Sequence, residues 1–181
     1  MTSDLPLTRQ ERLRRTVLLC CACSRNLAYY RCGWNGRKPW FSDEFHATIN
    51  GNFLDIGLLE WCKLFGDNDE EHHWSTVLSE ISARRSFRRG LEQALSCSRG
   101  EFNGLRKKIL AYRNYFVAHL GSQRKMEFPT LNAVIASAVF YHSFLQENEN
   151  DGGTFRRLPP DSAEYHQQCL TAGSQFYGHV T

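Results

Sequence analysis

No run of apolar residues in this chain approaches the ~20 that a membrane-spanning helix needs, so no membrane segment is expected. No stretch alternates apolar and polar residues for long enough to form a half-buried strand, which leaves a sheet without a candidate. The seven cysteines are odd in number and lack an even framework of spaced pairs. That excludes a disulfide scaffold and predicts free, mostly buried thiols in a reducing compartment. The formal charge of +3 is too small for a histone-like polycation. What is present is ample apolar material: 41% apolar residues over 181 positions suffices for one hydrophobic core.

Two features imitate something else. Arginines ahead of "TVLLCCAC" (16–23) look like the basic start and apolar run of a secretory leader. The run is only eight residues, and its helical pattern continues through Leu27 and Tyr30, so a soluble helix in a cytoplasmic protein is expected. Cys20 and Cys23 form a lone C-x-x-C, with Cys21 and Cys32 nearby, but no second ligand pair follows at zinc-site spacing. His72 and His73 sit among Asp67, Asp69, Glu70 and Glu71. Adjacent histidines rarely chelate one ion together, and capping around Trp74 explains them better. Neither a metal nor a cofactor is expected.

The remaining patterns are helical. Residues 8–31 form a first helix, and "CGWNGRKPW" breaks it with two glycines and a proline. Ser42 is the expected N-cap of a second helix, with Asp43 and Glu44 in its first turn. That helix runs to Phe65 and stops at Gly66; being apolar nearly all round, it is expected at the centre of a bundle. Residues 74–97 read as helical but interrupted at "RRSFRRG", and further helices are predicted over 101–120 and 130–146. His142 falls on the apolar stripe of the last of these, as a core histidine. The fold class is all-α, an up-and-down bundle of four or more helices. Residues 1–147 make the bundle, 148–160 a polar Gly-rich linker, and 161–181 a weaker helical tail.

The segment "LRKKILAYRNYFVAHLG" (105–121) carries the functional signal. Phe102, Leu105, Ile109, Tyr112 and Phe116 fall 3, 4, 3 and 4 apart and form one stripe. On a regular helix Arg113 and His119 lie on opposite flanks of it, about 120° apart in azimuth and about 9 Å apart along the axis. One helix does not easily aim both at one atom, whereas two copies about a two-fold axis pool both pairs in one cleft. A homodimer through this helix is therefore expected. Basic clumps at Arg9, Arg12, Arg14 and Arg15, at Arg84, Arg85, Arg88 and Arg89, and at Arg106, Lys107, Lys108 and Arg113 suit a phosphate backbone, although a solvated helix face is the more ordinary reading of any one clump. Arg106, Lys107 and Lys108 are the candidate RNA contacts.

"YRNYFVAHL" resembles the R-x(4–6)-H signature of HEPN-domain proteins, with Arg113, the polar Asn114 and then His119. Together with "FLDIGLLEWCKLFG" at 53–66 and "HHW" at 72–74, in this order, it is similar to the AbiU-type abortive-infection branch over roughly residues 10–146. The resemblance implies a helical bundle that dimerises along the motif helices. It also implies a metal-independent ribonuclease of toxin or phage-defence type with RNA as substrate, a non-catalytic RNA- or protein-binding module, or a subunit held silent by an antitoxin. In the nuclease, His119 moves the proton and Arg113 binds the phosphate, while Asn114 orients one of them. Asp55 and Glu60, carboxylates within the apolar second helix, are candidate supports for Arg113 or His119, with a structural ion pair as the alternative. Two residues after His119 stands Gly121, where nucleotidyltransferase-paired toxins carry a modifiable tyrosine, which argues against silencing of that kind.

Overall fold

A computed structural model describes residues 6–117 and 130–178. Among them the chain is all-helical save for one two-residue hairpin. Helix α1 spans Arg9–Cys32, the hairpin pairs β1 (Trp34–Asn35) with β2 (Lys38–Pro39), and α2 spans Glu44–Phe65. A short α3 (Trp74–Val77) leads into α4 (Ile81–Leu95) and α5 (Arg99–Tyr112). A π-helical turn follows at Arg113–Val117, and then α6 (Leu131–Glu149) and α7 (Ser162–Phe176). The all-α bundle expected from the sequence is what forms. No described helix is long and apolar enough to cross a membrane.

The centre of the bundle is α1, not α2. Helix α1 packs against α2, α6 and α7, and beside the large apolar Leu13, Val17 and Leu27 it buries a series of small residues. Cys20, Cys21, Cys23 and Ala28 let neighbouring helices approach closely, while Thr16, Ser24 and Asn26 are buried with their polar atoms satisfied. Thr16 Oγ1 donates to the Arg12 carbonyl at 2.8 Å, Asn26 Nδ2 donates to the Ala22 carbonyl at 2.8 Å, and Ser24 Oγ meets His166 Nδ1 at 2.9 Å. Satisfied in this way, these groups avoid the cost of a bare buried dipole. Helix α2 instead leaves part of its apolar circumference in solvent, with Phe45 69% and Ile56 44% exposed.

Helix ends follow local chemistry. Thr8 and Glu11 make a reciprocal capping box at α1, as Ser98 and Glu101 do at α5. The cap of α2 is Asp43, one residue after the expected Ser42, because its carboxylate accepts from His46 N at 2.9 Å and also holds the His46 ring at 2.7 Å. The stretch "RRSFRRG" does not interrupt its helix. It lies inside α4, with Phe87 fully buried; arginine is a good helix former, and the break falls earlier, at 78–80. Gly90 fits Phe140, whose ring carbon would lie 2.7 Å from an added Cβ.

The segment after α6 is tied down. Phe155 is buried in the core, and Arg14 Nη1 donates to the carbonyls of Thr154 (3.1 Å) and Arg156 (2.9 Å). Asp151 accepts from the amides of Gly153 (3.0 Å) and Thr154 (2.8 Å). Thus 148–160 is pinned to the bundle rather than strung as a free linker. Helix α7 then lies on α1, with Gly173 seated against Cys32 and Tyr29. Residues 1–5 and 179–181 of the first and last sequence units lie outside the described residues.

Glycines in α2 and α5 give a paired test of packing. A Cβ on Gly57 would meet Leu27 Cδ2 at 2.7 Å and Cγ at 2.8 Å, and Leu27 is fully buried. Gly57→Ala is expected to destabilise by about 1–3 kcal/mol despite the better helix propensity of alanine. A Cβ on Gly104 meets nothing within 4 Å. Gly104→Ala is expected to stabilise by ~0.4–1 kcal/mol. Urea midpoints of the two variants, read at constant m, check both signs.

Candidate functional site

The expected single helix over 101–120 ends its α geometry at Tyr112 and continues as a π-turn from Arg113. Regular α-helical azimuths therefore do not carry past Arg113. Isolated π-turns within helices recur at functional sites, where the inserted residue re-aims its neighbours. The apolar stripe of α5 is spent inside the protomer. Ile109 and Tyr112 are buried, and Phe102, Leu105 and Phe116 pack partly buried against the same core, chiefly on the α2 side. Any two-fold contact along this helix must use its flanks, where Lys107, Lys108, Asn114 and Tyr115 are exposed.

Arg113 has a side chain 21% exposed, and both ends of its guanidinium are engaged. Nε donates to Asn114 Oδ1 at 3.0 Å and Nη1 to Asp67 Oδ2 at 3.1 Å. The structure thus brings two of the three motif residues, Arg113 and Asn114, into direct contact. His119 and Gly121 lie outside the described residues. Neither candidate support carboxylate holds the arginine. Asp55 accepts from the Tyr112 hydroxyl at 2.6 Å, and Glu60 pairs with Lys63 at 3.1 Å one turn along its own helix. Burial, reinforced by Asp55, pushes the Tyr112 phenol above its ordinary pKa. The acid that meets Arg113 is Asp67, which follows directly on Gly66 at the end of α2. Nothing in the spacing of 55, 60 and 113 foretells this, because the partner comes from a loop.

The basic residues divide in two. Three at the start of α1 serve the fold: Arg9 meets Glu149 at 2.5 Å, Arg12 lies 3.9 Å from Glu71, and Arg14 holds the 154–156 backbone. On α5, Lys107 and Lys108 are exposed to solvent, while Arg106 turns into a cavity of about 210 Å³ between α3, α4 and the start of α5. Arg88 and Arg99 also line that cavity. Arg106 Nε is sealed from solvent with no hydrogen-bond acceptor among the described residues.

At the edge of this cavity His73 caps α3. Its Nδ1 accepts from Ser75 N at 3.3 Å, and a hydrogen bond to the Phe65 carbonyl fixes the opposite side of the ring. Burial, aided by the Arg106 charge, pushes its pKa down to about 4, with Asp67 and the Phe65 carbonyl opposing. Burial likewise lowers His72, His142 and His166. A histidine with a depressed folded pKa binds its proton more readily in the unfolded chain. Its contribution is complete above the unfolded value near ~6.5 and is lost as pH falls towards 4. The melting temperature is therefore expected to drop between pH 6.5 and 4.5. His73→Gln, which removes the most shifted ring, is expected to flatten that slope in thermal melts followed by circular dichroism.

Among the described residues no group of three or more histidine, cysteine or acidic side chains is placed to hold a metal ion. Burial holds Cys20 well above its ordinary pKa, and pushes Cys21 up to about 11 and Cys62 up to about 12, so these groups stand as thiols. Six of the seven cysteines are buried. No family model, no curated protein and no solved structure matches this chain.

Proposed function

We propose that the chain is a metal-independent endoribonuclease of HEPN type, similar to the AbiU-like abortive-infection proteins, whose site pools Arg113, Asn114 and His119 from two protomers. The observation that supports it is the contact between Arg113 and Asn114 at the start of the π-turn. It holds a permanent cation, its side chain 21% exposed, beside the polar residue of the motif. In the reaction, His119 takes the proton of a ribose 2′-hydroxyl as its oxygen attacks the adjacent phosphorus. The bond from phosphorus to the 5′-oxygen breaks, and that oxygen leaves with a proton returned by an imidazolium. The products are a 2′,3′-cyclic phosphate and a 5′-hydroxyl. Arg113 keeps its proton and holds the phosphate oxygens as their charge grows. Lys107 and Lys108 lie on the exposed flank of the same helix, suited to the flanking backbone. This reading carries with it a cytoplasmic location, a homodimer, and an antitoxin protein as a candidate partner.

A second reading is favoured by the ion pair to Asp67, which partly neutralises Arg113. On that reading the chain is a non-catalytic module that binds RNA or a protein, or a subunit held silent by an antitoxin. The test is cleavage of structured and unstructured RNAs by the purified protein in excess EDTA, beside His119→Ala. Cyclic-phosphate ends that disappear in the variant support the nuclease. Intact RNA with a folded, dimeric protein, or equal cutting by the variant, moves the assignment to the binding module.

A further inference from the structure

Helices α2 and α7 both pack on α1, and their charge runs against that of the whole. The chain carries +3, yet residues 39–62 and 158–181 contain no lysine or arginine. They do contain Asp43, Glu44, Asp55, Glu60, Asp161 and Glu164. In this part of the molecule lies a pocket of about 230 Å³, lined by Tyr29 of α1, Phe53 of α2, and Ala172, Gly173, Phe176 and Tyr177 at the end of α7. Four of its six lining residues are aromatic, and none carries a charge.

The rings line this pocket without closing it. Tyr29 and Phe53 lie 5.2 Å apart at 60°, and Phe176 and Tyr177 lie 5.0 Å apart at 85°, so neither pair is covered face to face. Gly173 brings α7 close enough for this: a Cβ there would fall 2.9 Å from Cys32 Sγ and 3.1 Å from Tyr29 Cδ1. Phe176 stays 53% exposed. The tyrosine hydroxyls are engaged, Tyr177 accepting from Asn50 Nδ2 at 2.9 Å and Tyr29 meeting Cys169. Burial pushes both phenols above their ordinary pKa, so the rings stand neutral.

What the pocket offers a ligand is therefore ring surface, and the face of an aromatic ring attracts a cation. The charge that approaches it is acidic. Asp43 holds the His46 ring at 2.7 Å, and that ring lies 5.7 Å from Phe176 and 6.4 Å from Tyr177. The arginines of this part of α1 are turned elsewhere. Arg25 Nη1 donates to the Tyr165 hydroxyl at 3.4 Å, about two turns of α7 before Gly173, and Arg31 donates to Asn132 beside α6. The lining thus gives a phosphate or carboxylate no cationic partner. A bare ammonium is strongly hydrated and needs acceptors for its protons, whereas a methylated one presents a weakly hydrated, apolar and still cationic surface.

We infer that this pocket binds a methylated ammonium group, its methyls against the rings of Tyr29, Phe53, Phe176 and Tyr177. The same head is offered by a free quaternary amine and by a trimethylated lysine side chain. The site uses none of Arg113, Asn114 and His119, so it stands or falls apart from the cleavage reading.

The test follows the methyl resonance of choline by NMR as the full chain is added, beside the neutral alcohol in which a tert-butyl group replaces the trimethylammonium head. Choline is expected to bind roughly fivefold or more tightly than this alcohol, its methyl signal moved upfield by the rings. Phe176→Leu and Phe53→Leu each keep an apolar wall and remove one ring. Each is expected to weaken choline by roughly threefold or more while the alcohol stays within about twofold. The exposure of Phe176 keeps the test alive if Phe53→Leu fails to fold. A trimethyl-lysine peptide that outbinds choline assigns the pocket to a modified protein, and choline binding at least as tightly assigns it to a free solute. The inference is overturned if the alcohol binds as tightly as choline, if the folded ring variants bind choline unchanged, or if neither choline nor the peptide binds at tens of millimolar.

Discussion

Arg113→Ala is expected to lower RNA cleavage by roughly 10²–10³-fold while leaving the fold in place, the usual cost of removing one donor from a developing oxyanion. The two halves of that expectation have separate origins. The arginine is partly exposed and Asp67 is half exposed, so their ion pair falls in the range of about 0.2–1 kcal/mol and its loss barely moves the melting temperature. Arg113→Lys should recover only part of the rate, because an ammonium keeps the charge but not the planar fork. The informative companion is Asp67→Asn. If the carboxylate merely restrains the arginine, freeing it should leave cleavage unchanged or faster. If Asp67 orients it productively, cleavage should fall with little change in KM. His119→Ala should cost ~10²–10⁴-fold, as removal of a positioned proton carrier does. Rates with the RNA in excess and single-turnover rates on one short RNA, read beside thermal melts, distinguish these outcomes. A folded Arg113→Ala variant that cuts at the parent rate would sink the nuclease proposal.

Trp61→Ala is expected to produce the largest loss of stability in the molecule. Trp61 is fully buried, with its ring 5.1 Å from Phe65 and 6.0 Å from Phe102. Its Nε1 donates to Ser137 Oγ at 2.8 Å, and that hydroxyl in turn donates to the Val134 carbonyl at 2.8 Å. Truncation removes the ring, opens a cavity and strips a buried hydroxyl of its donor. The expected cost is about 3–5 kcal/mol, or roughly 6–20 °C in Tm for a chain of this size. Trp61→Phe keeps most of the volume and loses only the indole N–H, so about 1–2 kcal/mol is expected, the cost of one buried hydrogen bond with some repacking. A ratio near unity between the two would mean that the hydrogen bond, not the ring, holds α2 to α6.

The helices were legible in the sequence wherever one side chain pattern decided them. The first helix, expected over 8–31, and the end of the second at Gly66 match the structure within a residue, and the helix expected from 101 starts at Arg99. What escaped is the identity of the central helix. The buried thiols were expected, but Ser24 and Asn26 do not read as core residues; small size and locally satisfied hydroxyl and amide groups help make α1 the helix that three others pack on. The site was half legible. Arg113 and Asn114 are neighbours in sequence and in space, but Asp67 reaches Arg113 only because Gly66 ends α2 there. The cavity was hidden for a similar reason. Arg88, Arg99 and Arg106 belong to two helices whose relative placement no periodicity reports, and the arginines at the start of α1 looked just as basic while three of them serve the fold.

The packing of α7 on α1 has a consequence for how the chain comes to be made. Ser24 meets His166 at a sequence separation of 142, and Cys32 donates to the Leu170 carbonyl at a separation of 138. The central helix therefore cannot close its cysteine-lined surface until α7 has left the ribosome. Contacts this distant in sequence slow the final step of folding, and the waiting nascent chain exposes sticky surface meanwhile. During synthesis the vulnerable element is thus α1, which waits for α7 while α2 to α6 are made.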